Sequence, residues 1–376
     1  MRKVFIGILA ATALSLFVSC GGGNAAATSD AKPVEMRYAR LLSMSEPEPG
    51  VTLVTIRNPW DTLKTLVRYA LVERGQDIKA NLPQGTKKIS VPIERSVVYS
   101  AVHVSLIDEL GALNAINGVC DKEYVTAPRA VEGLTSGRIV DCGRNTAPVM
   151  ERIVSLKPQT VVLSPYEKSS ETALFGPTGI TVIEAADYME PTPLGRAEWM
   201  RFFGRLYGRA ERADSLFGEV EREYLDIRDK VAKVAVKPSV LFDRLYNGIW
   251  NVPTSGSVTG RLIEDAGGTN PFAAQTKGGS AQLTAEEVLY TARNADIWLI
   301  RTFEPSGMTL KSLAADNPLY TRFKAYSDGN VYAANTVKTA LFEDGAFHPQ
   351  KTLREMVRIL HPEIDSTPLQ YYKPVK

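Results

Sequence analysis

Histidine and cysteine are scarce, with three of each in 376 residues. Three imidazoles argue against a cage of histidines around zinc or manganese, and Cys20, Cys120 and Cys142 are too few to staple a disulfide scaffold. A surplus of either charge is missing too: 44 Lys and Arg face 42 Asp and Glu, a formal net charge of +2. Nucleic acid and anionic membrane are held by surplus basic charge, so neither is expected as a general partner. Catalytic signatures are absent from the sequence as well. It has no phosphate-cradling glycine loop, no Gly-x-Ser-x-Gly nucleophile elbow and no paired-histidine zinc motif, and Gly278-Gly279-Ser280 reads as a turn. These absences point away from an enzyme and call for no cofactor.

The one long apolar run lies at the start, where Arg2 and Lys3 precede Val4 to Val18. It is too short for a good membrane span and has the layout of a secretory signal. Leu16-Phe17-Val18-Ser19-Cys20, followed by the flexible Gly21-Gly22-Gly23-Asn24-Ala25, resembles a bacterial lipobox, although Phe17 stands where an aliphatic residue is usual. Cleavage would remove residues 1–19 and leave Cys20 as the acylated first residue of a formally neutral chain. The expected location is periplasmic, lipid-anchored to a bacterial membrane. In that oxidising compartment Cys120 and Cys142 can pair or remain two buried thiols, and the sequence leaves both open.

The chain is 44% hydrophobic and long enough for two packed cores. After the tether, Arg37 to Arg40, Val51 to Ile56 and Val67 to Val72 read as strands of a small antiparallel layer, the first two separated by the Pro- and Gly-containing stretch Glu46 to Gly50. From Lys88 the pattern becomes buried β runs alternating with helices: SVVYS at 96–100, INGVC at 116–120, RIVDC at 138–142, TVVLS at 160–164 and TVIEA at 181–185. That alternation predicts a mostly parallel sheet covered by helices. A helix over His103 to Leu110 is closed by Gly111. A continuous apolar stripe then runs from Trp199 through Phe217 and Tyr224 to Val234, with Gly208 as the point where one helix becomes two. Past Pro238 a second α/β unit follows, with strands SVLFD, GIWNV, IWLIR and NVYAA, a helix from Val258 closed by Gly267, a capping box at Thr284 and Glu287, and a last helix over Pro349 to Leu360. The fold class is therefore α/β, two lobes of mostly parallel sheet joined by a long rigid helix, with a small N-terminal β elaboration. The expected division is 1–19 signal, 20–35 lipidated cysteine and tether, 36–87 β elaboration, 88–193 first lobe, 194–235 linking helices and 236–376 second lobe.

In α/β lobes, ligands sit beyond the carboxyl ends of parallel strands. The candidate ligand-binding residues at those ends are Tyr99, Ser100, His103, Tyr124, Arg144, Tyr166 and Tyr188 in the first half and Tyr246, Trp250, Arg301 and Lys338 in the second. Glu123, Thr254, Ser257 and Asn335 stand at the same ends. The set is aromatic with a few positive charges. Aromatic faces bury flat rings at low entropy cost, and Arg144, Arg301 and Lys338 are suited to carboxylates or catecholates. Trp250 heads the set because Asn247, Gly248, Pro253 and Gly256 suggest an exposed rim.

The stretches ERSVVYS, LIDELGALNAINGV, ERIVSLKPQTVVLS, Val252 to Gly267 and LTAEEVLYTARNADIWL, spread between Lys88 and Leu360, resemble the periplasmic substrate-binding proteins of the iron-siderophore, heme and cobalamin import family. The resemblance implies a clam of two lobes held by one long helix, with a metal chelate sandwiched between them: a ferric siderophore, heme or cobalamin. It also implies an ABC permease and its ATPase as partners. In that family one acidic residue on each lobe meets arginines of the permease, and the matching positions here are Glu151 and Glu286, with Glu287 as a rival. His103 and Tyr99 are the candidates for an axial bond should the chelate be heme; no other metal ligand is expected. The chain is expected to act as a monomer. Two competing readings are a bare-metal zinc or manganese binding protein, and a lipid-anchored scaffold without a small ligand.

Overall fold

The computed structural model describes residues 31–167, 171–275, 279–304 and 307–376. The signal segment, Cys20, most of the tether and Gly278 of the expected turn lie outside the described residues.

Five strands form the N-terminal sheet: β1 (Lys32–Val34), β2 (Leu42–Glu48), β3 (Val51–Asn58), β4 (Asp61–Glu73) and β5 (Lys87–Val91). They lie in sequence order, antiparallel except for the parallel β4 and β5 pair. Alternate residues such as Val54, Ile56, Tyr69 and Leu71 face the core. The strand expected at Arg37 to Arg40 does not form. Those residues bend, and carboxylates rather than a neighbouring strand take their amides: Glu198 accepts from Arg37, Tyr38 and Ala39 at 2.8 Å each, and Glu190 accepts from Arg40 and Leu41. Nor does Glu46 to Gly50 break the sheet. Strand β2 runs through Pro47 because its register with β3 shifts between Ser45 and Glu48, a bulge that relieves proline of a ladder bond it cannot donate.

The first lobe runs β6 (Ser96–Val98), α1 (Ala101–Glu109), β7 (Ile116–Val119), α2 (Pro128–Thr135), β8 (Val140–Asp141), the small hairpin β9 (Gly143–Arg144) and β10 (Ala147–Pro148), α3 (Met150–Ser155), β11 (Thr160–Leu163), α4 (Glu171–Leu174) and β12 (Thr181–Glu184). Its sheet is parallel throughout, in the order β12-β11-β6-β7-β8. Gly111 ends the turn after α1 at φ +77°, as its sequence position predicts. Cys120 and Cys142 are two buried thiols that donate to the carbonyls of Cys142 and Val140 and are not bonded to each other. Burial pushes the Cys142 thiol up to about 11.

The apolar stripe forms α5 (Pro193–Glu198), α6 (Met200–Leu206) and α7 (Ala210–Val231). Gly208, at φ +64° and with Pro92 where a Cβ would sit, separates α6 from α7. Helix α7 spans 22 residues, about 33 Å at 1.5 Å per residue. It packs on α6 at one side. Across the other it meets the second lobe, where Tyr224 donates to Asp265 at 2.7 Å.

The second lobe comprises β13 (Val240–Phe242), β14 (Trp250–Pro253), α8 (Val258–Asp265), β15 (Ser280–Leu283), α9 (Ala285–Ala292), β16 (Ile297–Thr302), α10 (Leu310–Asp316), α11 (Lys324–Ser327), β17 (Val331–Asn335), α12 (Leu341–Phe347), α13 (Pro349–Leu360) and β18 (Tyr372–Pro374). Its main sheet is β13-β16-β17-β18, with only β18 antiparallel. The GIWNV run is not part of it; β14 pairs with β15 as a separate antiparallel hairpin. Thr284 and Glu287 form the expected capping box at the start of α9. In each lobe a helix with acid in its first turn leads into a buried strand, α3 into β11 and α9 into β16.

Removing the Glu198 carboxyl would orphan the three backbone amides it binds. Glu198→Ala is expected to lower stability by roughly 3–5 kcal/mol, read as an earlier urea midpoint. A loss below about 1 kcal/mol, the worth of a single ordinary hydrogen bond, would show that the segment is held by other contacts.

Candidate functional site

A cleft of about 550 Å³ opens between the two lobes. It lies beyond the carboxyl ends of β6, β7 and β11 on one side and of β16 and β17 on the other, where the strand-end rule places ligands. From the first lobe come Tyr99 and Ser100 after β6, Asp121, Glu123, Tyr124 and Thr126 after β7, Asn145 from the β9–β10 turn, Ser164 and Tyr166 after β11, and Arg196 from α5. The second lobe supplies Phe303 after β16, Thr336 and Val337 after β17, and Phe342 and Glu343 from α12.

The lobes touch beside this space. Thr126 donates to Glu343 at 3.2 Å, His348 Nε2 lies 2.7 Å from Glu109, and α1 packs on α12. Asp121 holds a left-handed backbone at φ 48° and accepts from the Asn145 amide at 3.2 Å, which fixes the hairpin against the strand end. Burial raises the Asp121 and Glu343 carboxyls above the usual range. The opposite shift occurs behind the cleft at Asp187. Burial alone would raise it, but His103 at 2.8 Å and Arg196 at 3.1 Å outweigh burial and hold it below the usual carboxylate range.

Tyr99, Ser100, Tyr124 and Tyr166 are brought together in the lining, as the sequence predicts for strand-end residues. Others are not. His103 is 1% exposed, packed against Phe203 and Phe347 and engaged by Asp187, so it cannot reach a ligand in the cleft. Trp250 is also buried, its ring centroid 5.9 Å from Trp298 and 5.7 Å from Tyr320, and its Nε1 donates to the Phe242 carbonyl. The loop-forming neighbours are real, but β14 turns its indole inward. Arg301 is paired with Asp243 and stacks over Phe242, and it borders a smaller adjoining cavity of about 90 Å³. Tyr188 donates to the Pro165 carbonyl and so supports the loop that carries Tyr166. Tyr246 leans on Phe303 beside the cleft. Arg144 and Lys338 are exposed next to the lining residues Asn145 and Val337 without lining it themselves.

Among the residues sequence reasoning missed, Phe303 and Thr336 directly follow β16 and β17, two residues past the predicted runs, and were open to the same rule. Phe342 and Glu343 sit on α12, a helix of seven residues too short to show a period. Glu151 and Glu286 are both exposed in the first turns of α3 and α9, while Glu287 is engaged in the capping box. Thr254 is buried, and Ser257 caps α8 by accepting from Gly260. Asn335 donates to the Glu304 carbonyl. Among the described residues no group of three or more His, Cys, Asp or Glu side chains is placed to hold a metal ion, and no helix is long and apolar enough to cross a membrane.

A family model described as periplasmic binding protein matches residues 97–336, starting after the N-terminal sheet. An uncharacterized lipoprotein of Methanocaldococcus jannaschii is 28% identical over 295 residues, 76% of this chain and 69% of the relative. Among solved structures, a periplasmic heme binding protein from Pseudomonas aeruginosa has a TM-score of 0.61 at 15% identity, covering 76% of this chain and 98% of that one. An ABC-type Fe3+-hydroxamate transport system from Saccharomonospora viridis has a TM-score of 0.57 at 18% identity, covering 72% and 94%. At those identities the structures establish a shared fold. With the family match spanning both lobes and the cleft between them, this chain belongs to the periplasmic binding protein family, whose members bind a substrate rather than transform it.

Proposed function

We propose that this chain captures a bulky metal chelate in the cleft and delivers it to an ABC importer, held at a membrane by lipid on Cys20. The observation that carries the reading is the aromatic lining contributed by both lobes: Tyr99, Tyr124 and Tyr166 face the space from one side, Phe303 and Phe342 from the other. Such a slot buries large flat or chelated ligands while polar groups at its edge set orientation. Among the described residues none in the lining is histidine or cysteine, which favours a ligand that arrives with its metal already coordinated. The two structural neighbours carry heme binding and Fe3+-hydroxamate transport in their names, in line with an iron complex, and cobalamin remains in the same class of ligand. The lipoprotein relative supports anchoring at Cys20, and its archaeal source extends the proposed setting beyond a bacterial periplasm.

Docking is assigned to Glu151 and Glu286, one on each lobe. Exposed charges of this kind steer encounter and set register while leaving a complex reversible. The partner ATPase supplies the energy for release, and the binding protein does no chemistry on its cargo.

Calorimetric titration of the full-length protein in detergent with heme, cobalamins and ferric siderophores is expected to show saturable one-to-one binding of one of them. Tyr124→Ala and Phe303→Ala should each weaken it about tenfold, the worth of one aromatic contact. Lack of saturable binding across the panel would overturn the proposal. Separately, the double variant Glu151→Ala, Glu286→Ala should lose at least about tenfold in permease affinity with ligand affinity unchanged. Equal permease binding by the variant and the parent would remove the docking assignment.

A further inference from the structure

Among the described residues, the charges that line the cleft are almost all of one sign. Asp121, Glu123 and Glu343 contribute three carboxylates from both lobes. The lining cation, Arg196, is already matched by the buried Asp187 at 3.1 Å. Among the described residues the other cations nearby are outside the lining: Arg301 is engaged by Asp243, Lys122 by Asp141, Lys338 lies exposed at the rim, and Arg144, exposed there too, lowers the Asp121 carboxyl by less than burial raises it. The same sign continues past Tyr166, which also borders an adjoining cavity of about 390 Å³ under the N-terminal sheet. Glu167 and the 8% exposed Glu184 line that space with Trp60, and Asp61 there is balanced by Lys64 at 2.9 Å.

We infer that the cleft selects a cationic chelate, accepts a neutral one less well and discriminates against anionic complexes such as ferric catecholates or a porphyrin with free carboxylates. The inference rests on the chelate reading above and narrows its ligand class. A partly buried charge whose counter-charge falls short of its desolvation cost, as at Asp121 and Glu343, is unfavourable, and a ligand of opposite sign relieves it while one of the same sign deepens it. The raised carboxyls of Asp121 and Glu343 report that deficit, because burial is the leading cause at both.

The test compares full-length protein in detergent with five ligands by calorimetry. They are a ferric linear trihydroxamate bearing one pendant ammonium, its N-acetylated neutral form, a ferric tris-catecholate, aquocobalamin with its single positive charge, and neutral cyanocobalamin. Within whichever scaffold binds, the cationic member should be favoured at least about tenfold over its neutral partner at low salt, with the gap shrinking as salt screens it. Asp121→Asn, Glu123→Gln and Glu343→Gln together should abolish that preference while leaving the neutral ligand bound, which shows that the variant is folded. Tightest binding of the catecholate, or a cationic preference that survives the triple neutralisation, would overturn the inference and leave the chelate reading standing. Failure of all five, and of heme, to bind would overturn both.

Discussion

A buried carboxylate is tolerable only when its oxygens are filled with donors, and this chain fills them with backbone amides that have no ladder to join. Glu198 takes three amides from the strap that precedes β2, and Glu190 takes two more together with Trp199 Nε1 at 2.9 Å. Glu221 on α7 adds the Tyr38 hydroxyl and Arg37. The C-terminal end repeats the device, where Glu355 on α13 accepts from Gln370, Tyr371 and Tyr372 at 2.6–2.8 Å and so sets β18 on the edge of the second sheet. Four glutamates on or beside the linking and terminal helices thus decide where irregular backbone can be buried. The N-terminal sheet and the last strand are docked by them, and the two cores keep their alignment along α7.

This also explains which parts of the fold were legible in the sequence. The five strands of the first lobe's sheet and three of the four in the second were readable because most are short apolar runs buried on both faces, and the half-buried β8 is flanked by the buried Ile139 and Cys142. The long helix was readable from its stripe. Arg37 to Arg40 was misread because alternation alone cannot tell a strand from an extended strap, and the carboxylates that decide between them lie about 150 residues or more away in sequence. Strand β18 left no mark for a related reason: it is a three-residue element with proline at its end, held by a distant glutamate. GIWNV was correctly a strand and wrongly a member of the parallel sheet, since pairing partners are not written in a single run.

The site was legible in position more than in chemistry. The strand-end rule found Tyr99, Ser100, Tyr124 and Tyr166 because topology places those ends, whatever the side chains do. It misjudged charge because a cation at a strand end is as readily neutralised within the lobe as offered to a ligand. Arg301 shows this most clearly: Asp243, the residue directly after β13, in a left-handed turn at φ 56°, reaches across to it, and the pair sits between Phe242 and Phe342. Arg196 is held by Asp187 in the same manner. Counting basic residues in sequence therefore overstates the positive potential of a folded cleft, whereas the carboxylates gathered from the loop after β7 and from α12 could not be counted together before those two elements were placed.

The geometry of the lobes bears on how such a cleft can discriminate. Helix α7 packs along both halves, and the α1–α12 contact with its Thr126 and His348 bonds already bridges them. A frame braced at three places changes its aperture little, so the shape and sign of the lining exist before a ligand arrives. Preorganisation of that kind spares the ordering cost of closure, yet it also prevents the cleft from adapting to a poorly matched guest. Selectivity must then come from fixed features, and the features fixed here are aromatic faces of both lobes and the carboxyls of Asp121 and Glu343, which burial holds above their usual range.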